Sequence, residues 1–224
     1  MDGAHDNLDK GYEDWRELMA HLAWRPDTRT ALFGSARTTE RYGQRDRELG
    51  AGAYLPVGRA GTVLHAEGTW SNTHHVLARH MYLLELAQPL GSGWVLTGGG
   101  RGARYDSGDV QAAWLLVEKY AGDYRFAWHS QVSRAEGSGW APAHRFTASW
   151  YGGELTFVTL TLARGREVEN VPPAGLLQTQ VRAASLSGSL EVAPRWALTG
   201  ELARTEQGDL YTRRTARLGT RLLF

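Results

Sequence analysis

The chain has 224 residues with 25 basic and 24 acidic side chains, so its charge is balanced and carries no footprint of nucleic-acid binding. It contains no cysteine, which argues against a small disulfide-stapled domain, and its length suffices for one sizeable domain or barrel. The mean hydropathy is −0.41, and no uncharged apolar run approaches the roughly 18 residues that a spanning helix needs. A membrane β-barrel escapes this argument, because half of each strand is polar.

The beginning of the sequence does not resemble a signal peptide. Residues 1–6 lack both a basic segment and an apolar segment. If the protein is sorted to the bacterial outer membrane, we therefore expect the sequence to begin downstream of its export signal.

Apolar and polar side chains alternate along most of the chain, whereas apolar residues seldom recur at helical spacing. This period of two predicts an all-β protein. Strands are predicted near residues 14–24, 28–40, 47–57, 61–71, 78–87, 93–104, 109–119, 123–134, 143–152, 154–164, 175–189, 195–205 and 211–224. Short turn sequences and longer polar segments, such as 71–75 and 166–173, alternate between them. Short turns at one rim and long loops at the other are typical of an outer-membrane barrel, and a soluble β-sandwich is the alternative.

The last strand shows the pattern most clearly. One face carries Leu222 and Leu218, the other Arg221 and Arg217, and the sequence ends on Phe224. Strands of outer-membrane barrels turn apolar residues toward lipid and polar residues toward the lumen. We therefore predict that this strand closes an antiparallel transmembrane barrel.

Strand parity predicts one further strand. If the last strand runs toward the periplasm, the strand at 14–24 begins at the other rim, and an even-stranded barrel needs a partner ahead of it. Only residues 1–7 are free for this partner. We predict a single barrel domain over residues 1–224 with 12 to 14 strands, in which residues 1–10 supply a truncated first strand and loop, unless one strand has been split in two.

Aromatic residues collect toward strand ends. One set lies near the short turns: Trp24, Tyr54, Trp94, Tyr124, Trp150 and Trp196. A second set lies toward the longer segments: Trp70, Tyr105, Trp114, Trp140 and Tyr211. Two belts of amphipathic rings match the two interfaces of a bilayer, so these residues are predicted at the membrane boundaries.

Short sequence matches spread along the chain resemble the YaiO family of outer-membrane β-barrel proteins. They are Leu8, Gly11-Tyr12, Asp14-Trp15-Arg16, Glu40-Arg41-Tyr42-Gly43, Asp46, Gly50-Ala51-Gly52-Ala53-Tyr54, Arg101, Tyr105, Val117-Glu118-Lys119-Tyr120, Tyr151-Gly152, Gly165-Arg166-Glu167 and Gly219-Thr220-Arg221-Leu222-Leu223-Phe224. Tyr42 stands where the family has Phe. The resemblance implies an outer-membrane barrel similar to the barrel parts of bacterial exopolysaccharide exporters. It also implies that Leu218, Leu222 and Phe224 form the signal read by the barrel-assembly machinery.

Alternation assigns charged residues to the lumen. The acidic candidates are Glu17, Glu48, Glu67, Glu85 and Glu201, and the others are Arg37, Arg79, Arg101, Arg125, His129, Arg145, Arg182, Arg213, Arg217 and Arg221. One interpretation is a lattice of Arg–Glu pairs that holds the wall in shape, since internal charges are costly unless paired. The other is a cation-lined passage that favours anionic solutes or acidic glycans.

Enzymatic chemistry has weak support. His129 and Ser133 share a strand face but lie about 13 Å apart along it, too far for a nucleophile–base hydrogen bond. A protease at the rim would draw on Asp106, Asp109, His74, His75 and His80. No metal or cofactor site is predicted. We predict a passive channel or an envelope or polysaccharide export component, with a structural barrel or a hydrolase as alternatives. Its partners would be outer-membrane lipids, the assembly machinery and glycans or small anionic solutes.

Overall fold

The computed structural model describes residues 1–58 and 60–224, in which the regular elements are fourteen antiparallel strands. They are β1 Asp2–Leu8, β2 Trp15–Trp24, β3 Ala31–Arg41, β4 Gln44–Val57, β5 Thr62–Thr73, β6 His80–Gly91, β7 Trp94–Tyr105, β8 Gly108–Ala121, β9 Tyr124–Ala135, β10 Ala141–Tyr151, β11 Phe157–Val171, β12 Gly175–Ala193, β13 Trp196–Gln207 and β14 Tyr211–Leu222. Each strand pairs with its sequence neighbours, and β1 pairs with β14, so the sheet is a closed barrel. Within the described residues no helix is long and apolar enough to cross a membrane.

The strand required by parity is β1. It pairs with β2 on one side and with β14 on the other, from Asp2 opposite Gly219 to Leu8 opposite Arg213. β1 is shorter than its neighbour: it has seven residues and β2 has ten. The predicted closure of an antiparallel outer-membrane-type barrel is confirmed, and the strand number lies at the upper end of the predicted range.

The predicted division into short turns and long loops is wrong. Ser71 to Thr73 complete β5, and Arg166 to Val171 complete β11, so only residues 74–75 of the first segment and 172–173 of the second lie outside strands. The connections are short at both ends of the barrel. Polar sequence does not mark a loop there, because a strand that extends beyond the apolar band meets water on both faces. We call the end that holds Met1 and Leu222 the terminal end, and the opposite one the cap end.

Alternation sorts the side chains between lumen and surface. Outward residues are large and apolar, with Leu202 67% and Leu218 77% exposed. Inward residues are polar or small, such as the buried Thr39 and Ser71. The apolar core is small and lies inside the barrel at the cap end, where Leu8, Trp15 and Tyr211 pack together.

The mid-strand Gly99 provides a test of side-chain packing against the inner face of the barrel. An added Cβ at Gly99 would meet the Trp114 ring at 2.7 Å, whereas one at Gly98 would meet nothing within 4 Å. Gly99→Val is expected to displace Trp114 and lower the free energy of unfolding by about 1–3 kcal/mol. Urea unfolding in lipid vesicles, followed by tryptophan fluorescence, measures this. Gly98→Val is the matched control, and equal stability losses in the two variants would contradict the packing.

Candidate functional site: a capped polar lumen

The longest hairpin of the barrel continues past its neighbours. β10 pairs with β11 only as far as Gly165, and β13 pairs with β12 only as far as Val181. Beyond those points β11 and β12 pair only with each other, up to Val171 opposite Gly175. We call residues 166–180 the cap hairpin. An added Cβ at Gly165 would lie 2.3 Å from Cα of Ala143, so this close contact at the base of the hairpin requires glycine.

The cap hairpin reaches across the barrel mouth. Asn170 Nδ2 donates to the carbonyls of His75 and Val76, both at 3.3 Å. The hydroxyls of Tyr42 and Tyr211 donate to Glu169 Oε1 at 3.5 and 3.2 Å. His75 follows β5 and Tyr42 follows β3, which are far around the ring from β11. These contacts therefore bridge the lumen at the cap end.

Three further hydrogen bonds attach the hairpin to the rim. Ser107 Oγ, between β7 and β8, donates to Asn170 Oδ1 at 3.1 Å. Gln178 Nε2, in the hairpin, donates to Ser138 Oγ at 2.9 Å and to the carbonyl of Gly139. The cap hairpin is thus held from several directions.

A second segment, residues 74–79 between β5 and β6, folds inward beneath the hairpin, and we call it the inner loop. Val76, Leu77 and Ala78 are buried in it. The Asp46 carboxylate is 0% exposed and accepts hydrogen bonds from the amides of Val76 and Leu77 at 2.7 and 2.9 Å. His75 Nδ1 lies 2.9 Å from the same carboxylate. Asp46 is therefore the anchor that holds the inner loop against the wall.

An aromatic cluster supports the cap from below. Tyr12, Trp15, Tyr42 and Tyr211 form edge-to-face contacts at 5.0–5.9 Å between ring centroids. Arg41 and Arg213 lie 4.9 and 5.2 Å from the Trp15 ring, at cation–π distance. Burial and the nearby Glu169 carboxylate raise the pKa of the Tyr42 phenol, so it remains a hydrogen-bond donor at physiological pH.

Below this cluster, Glu17 is the centre of an ion-pair network. Its carboxylate lies 3.1 Å from Arg217, 3.6 Å from Arg41 and 3.7 Å from Arg37. Arg37 also pairs with Glu48 at 2.7 Å. The side chain of Glu17 is only 11% exposed. The network links β2, β3, β4 and β14 across the seam where the barrel closes.

Two smaller clusters lie further round the wall. His65 Nδ1 is 2.8 Å from Glu85, which also accepts a hydrogen bond from Trp114 Nε1 at 2.8 Å. Arg125 Nε donates to Glu118 at 2.6 Å. By contrast, Arg101 and Arg145 form no ion pair with a described residue, although both face the lumen.

The lumen is not arginine-rich. Inward-facing positions carry the acids Asp2, Asp6, Glu17, Asp46, Glu48, Glu67, Glu85, Glu118, Glu167, Glu169 and Glu201. The inward arginines are Arg37, Arg41, Arg101, Arg125, Arg145, Arg213, Arg217 and Arg221. Glutamates at inward positions are at least as numerous as arginines, so the expected excess of arginine over glutamate on this face is wrong.

Two predicted lumen residues lie elsewhere. Arg182 lies an even number of positions from the outward Leu186, so it also points outward, and it lies directly opposite Arg164 on the neighbouring strand. Arg79 belongs to the inner loop, and its exposed side chain pairs with Asp106 at 3.2 Å. The other candidates, including His129, Glu67, Glu201 and Arg221, occupy inward positions. The outward face of β12 changes from leucine to arginine at Arg182, beyond the apolar band, so charge alone does not show which face this residue occupies.

The lumen beneath the cap keeps open space. A cavity of about 490 Å³ is lined by side chains from both sides of the ring, among them Glu17, Arg145, Glu169, Glu201 and Arg217. Its lining is largely charged or hydroxylated, so water rather than apolar packing fills such a space.

The aromatic residues divide differently from the prediction. Trp24, Trp94, Tyr124, Trp150 and Trp196 lie on the outer face near the terminal end, each at least 41% exposed. The predicted second belt does not form as a set. Three of its members point inward: Tyr105, Trp114 and Tyr211. Tyr54 also points inward and stacks on His65 at 4.2 Å. Buried rings in a barrel lumen carry the same sequence signal as interface rings, so spacing alone does not separate them.

At the end of the chain, Leu218, Leu222 and Phe224 share the outer face. They are 77%, 63% and 88% exposed, which places an apolar strip, interrupted by Thr220, along the outer face at the end of β14. This is the location that an assembly signal would need.

The structure brings two of the candidate catalytic residues together, His74 and Asp106. Ser133 is buried and its hydroxyl has no partner among the described residues. His74 Nδ1 pairs with Asp106 at 2.9 Å, and Asp106 is also bound by Arg79. The described residues contain no group of three side chains that could hold a metal ion.

The barrel is similar in fold to solved outer-membrane proteins. No curated protein sequence matches the chain. Among solved structures, Omp33 of Acinetobacter baumannii superimposes with a TM-score of 0.61 at 10% identity, over 99% of this chain and 96% of that one. The monoaromatic hydrocarbon channel CymD gives 0.55 at 13% identity, over 99% and 87%. The KdgM porin in complex with disordered oligogalacturonate gives 0.54 at 8% identity, over 100% and 98%. At these identities the likeness is one of fold.

The family model described as the YaiO membrane beta barrel domain matches residues 1–170, most of the chain. This agrees with the closed fourteen-stranded barrel, its apolar outer face and its similarity to outer-membrane porins. The chain belongs to the YaiO family of membrane β-barrels and is a protein of the bacterial outer membrane.

Proposed function

We propose that this protein is a channel for small hydrophilic solutes whose outer mouth is closed by the cap hairpin and the inner loop. The observation that carries the proposal is the polar cavity of about 490 Å³ below the cap. A barrel of fourteen strands encloses more space than an eight-stranded barrel, whose interior is filled by side chains. It encloses less space than the wide porins, which have 16 to 18 strands. Such a lumen is suited to a narrow aqueous path that opens when the cap moves.

The chain offers a direct way to lock the cap. A Cβ added at Gly175 would lie 3.2 Å from Cβ of Ser107, close to the spacing of a disulfide, and the protein has no cysteine of its own. The Ser107→Cys/Gly175→Cys variant tests the gate by single-channel recording of the refolded protein in planar bilayers. Oxidation is expected to abolish openings, and reduction to restore them. Gly175 has φ +81°, so cysteine there costs about 1–2 kcal/mol, and Ser107→Cys alone is the control.

Two outcomes would contradict the proposal. One is conductance that stays the same after oxidation, which would mean that movement of the cap hairpin does not gate the path. The other is absence of any conductance both in the wild-type protein and in Asp46→Ala, which removes the carboxylate that holds the inner loop. That second result would mean that the lumen is closed below the cap.

A structural barrel with a charge-closed lumen is the second candidate. The network around Glu17 favours it, because ion pairs that link neighbouring strands stiffen the wall and occupy the lumen. Bilayer recording separates the two candidates, since a structural barrel conducts in neither the reduced nor the oxidised form of the double-cysteine variant. An enzymatic function has no assembled site to support it.

Passage of glycans is a finer proposal. KdgM, which shares the fold at 8% identity, is a porin solved with oligogalacturonate. In this chain, Arg101 and Arg145 face the lumen without a paired carboxylate among the described residues and offer contacts to acidic groups. Block of the open channel by an acidic oligosaccharide, absent with a neutral one, would support an export or uptake role.

A further inference from the structure

Four arginines gather on the outer face of the barrel toward the cap end. Arg164 lies directly opposite Arg182, and Arg204 lies directly opposite Arg214. We call these four residues the arginine patch. Like charges directly opposite on neighbouring strands are about 5 Å apart and destabilise a sheet unless an anion neutralises them. Glu206 lies 2.9 Å from Arg204 and directly opposite Arg182, so one carboxylate stands among four arginines and a surplus of positive charge remains.

The arginine patch marks the edge of the apolar band. On β13 the outward residues run from Trp196 through Leu198 and Leu202 to Arg204. Arg204 follows Trp196 by eight positions, about 26 Å along the strand and about 20 Å along the axis of a barrel tilted by roughly 40°. An apolar band is about 25 Å tall, so the guanidinium groups lie where lipid chains give way to headgroups.

Grooves on the outer face run down from the patch. One, of about 600 Å³, has Arg204 and Arg214 at its edge and Leu160, Leu186 and Leu202 along its walls. Its floor includes the small residues Ala184 and Ala216. A second groove, of about 450 Å³, shares Ala184 and carries Arg164, Arg182 and Arg204. Cationic groups above an apolar furrow form an amphipathic site.

We propose that the arginine patch and its grooves bind a phosphorylated glycolipid of the lipid A class in the outer leaflet. The guanidinium groups hold the phosphates through charge-assisted hydrogen bonds, and an acyl chain lies in the furrow between the leucines. The lipid phosphates supply the anions that the cross-strand arginine pairs lack. Outer-membrane barrels keep both termini in the periplasm, which puts the cap end and the patch in the outer leaflet.

The occupant is a membrane lipid rather than free phosphate because the charged and apolar parts of the site are continuous. The furrow below Arg204 and Arg214 presents mainly apolar surface, which a free anion would not use. It lies at the depth of the acyl chains, so one amphipathic molecule satisfies both parts.

Native mass spectrometry of the refolded barrel in detergent, titrated with hexa-acylated bisphosphorylated lipid A, tests the proposal. The variants Arg164→Gln/Arg182→Gln and Arg204→Gln/Arg214→Gln are each expected to weaken binding at least about tenfold. Arg104→Gln/Arg134→Gln is the matched control, because these outward arginines are already held by Asp109 and by Gln111. Its affinity is expected to stay within about twofold of wild type. Heat-modifiable mobility on gels verifies that every variant is folded.

Two further measurements separate the contribution of the lipid phosphates from that of the acyl chain. Dephosphorylated lipid A is expected to bind the wild-type protein as weakly as bisphosphorylated lipid A binds the patch variants. Ala216→Phe, which fills the furrow and leaves every arginine in place, is expected to weaken lipid A binding. Equal binding of phosphorylated and dephosphorylated lipid, or an equal loss in the control variant, would overturn the proposal. So would displacement of lipid A by millimolar inorganic phosphate, or unchanged binding by Ala216→Phe.

Discussion

Replacing Asp46 with alanine is expected to release the inner loop and raise the open probability of the channel by about a hundredfold. The carboxylate is fully buried, accepts hydrogen bonds from two backbone amides and contacts the His75 ring. Hydrogen bonds to a charged group contribute about 1.5–3 kcal/mol each. Loss of only about 3 kcal/mol from the closed state shifts the equilibrium roughly a hundredfold. Single-channel recording at low voltage measures the open probability directly.

Asp109→Ala is the matched control for this experiment. Asp109 also lies at the cap end, but its carboxylate pairs with the exposed Arg104 at 3.2 Å and holds no backbone amide. The open probability of this variant is expected to match that of the wild type. If Asp46→Ala behaves in the same way while the barrel remains folded, the inner loop is not a gate. Combining Asp46→Ala with the oxidised Ser107–Gly175 cysteine lock then shows whether the hairpin alone closes the mouth.

The barrel could be predicted from sequence because its signal is local and repeated. Leu218 and Leu222 alternate with Arg217 and Arg221, and the same period recurs along most of the chain. Parity turned this pattern into a prediction about residues 1–7, where no alternation is evident by eye. β1 is specified instead by its partners, since closure of the ring needs a strand between β2 and β14.

The cap could not be predicted, because it depends on contacts between residues distant in sequence. Arg166 to Val171 look like a loop in sequence, yet they continue β11 and cross the mouth. Tyr211 was assigned to the membrane interface, but it packs inside beneath Glu169. One sequence signal points to it: the strand predicted at 175–189 has more residues than the roughly 9–11 that a membrane strand requires, which indicates a projecting hairpin.

The ion pairs illustrate a further limit. Alternation indicates that Glu17 and Arg217 face the lumen, but these residues are 200 positions apart and meet only because β1 brings β2 and β14 to the same seam. The same alternation placed Arg182 inside, although it lies in the arginine patch. Charge in a strand therefore indicates a polar environment, and the pairing register decides whether that environment is the lumen or the lipid headgroup region.

Replacing Glu17 with glutamine is expected to destabilise the barrel and to shift its ion selectivity toward anions. The substitution preserves the shape of the side chain but leaves Arg37, Arg41 and Arg217 facing one another without their shared carboxylate. Removing one member of a buried charge network costs about 3–5 kcal/mol, and the partial exposure of the three arginines reduces this to about 2–3 kcal/mol. Urea unfolding in vesicles measures the loss, and reversal potentials across a KCl gradient measure selectivity.

Glu201→Gln separates the effect of charge from the effect of pairing. Glu201 also faces the lumen, but its side chain is 32% exposed and makes a single contact, 3.7 Å from Arg217. Both substitutions remove one negative charge from the lumen, so both are expected to move the reversal potential in the same direction. Only Glu17→Gln should cost more than about 1 kcal/mol of stability, because only Glu17 joins three strands at the closing seam. Equal stability losses would show that the network is a solvated set of charges, and the ring would then owe its closure to the β1 backbone pairing alone.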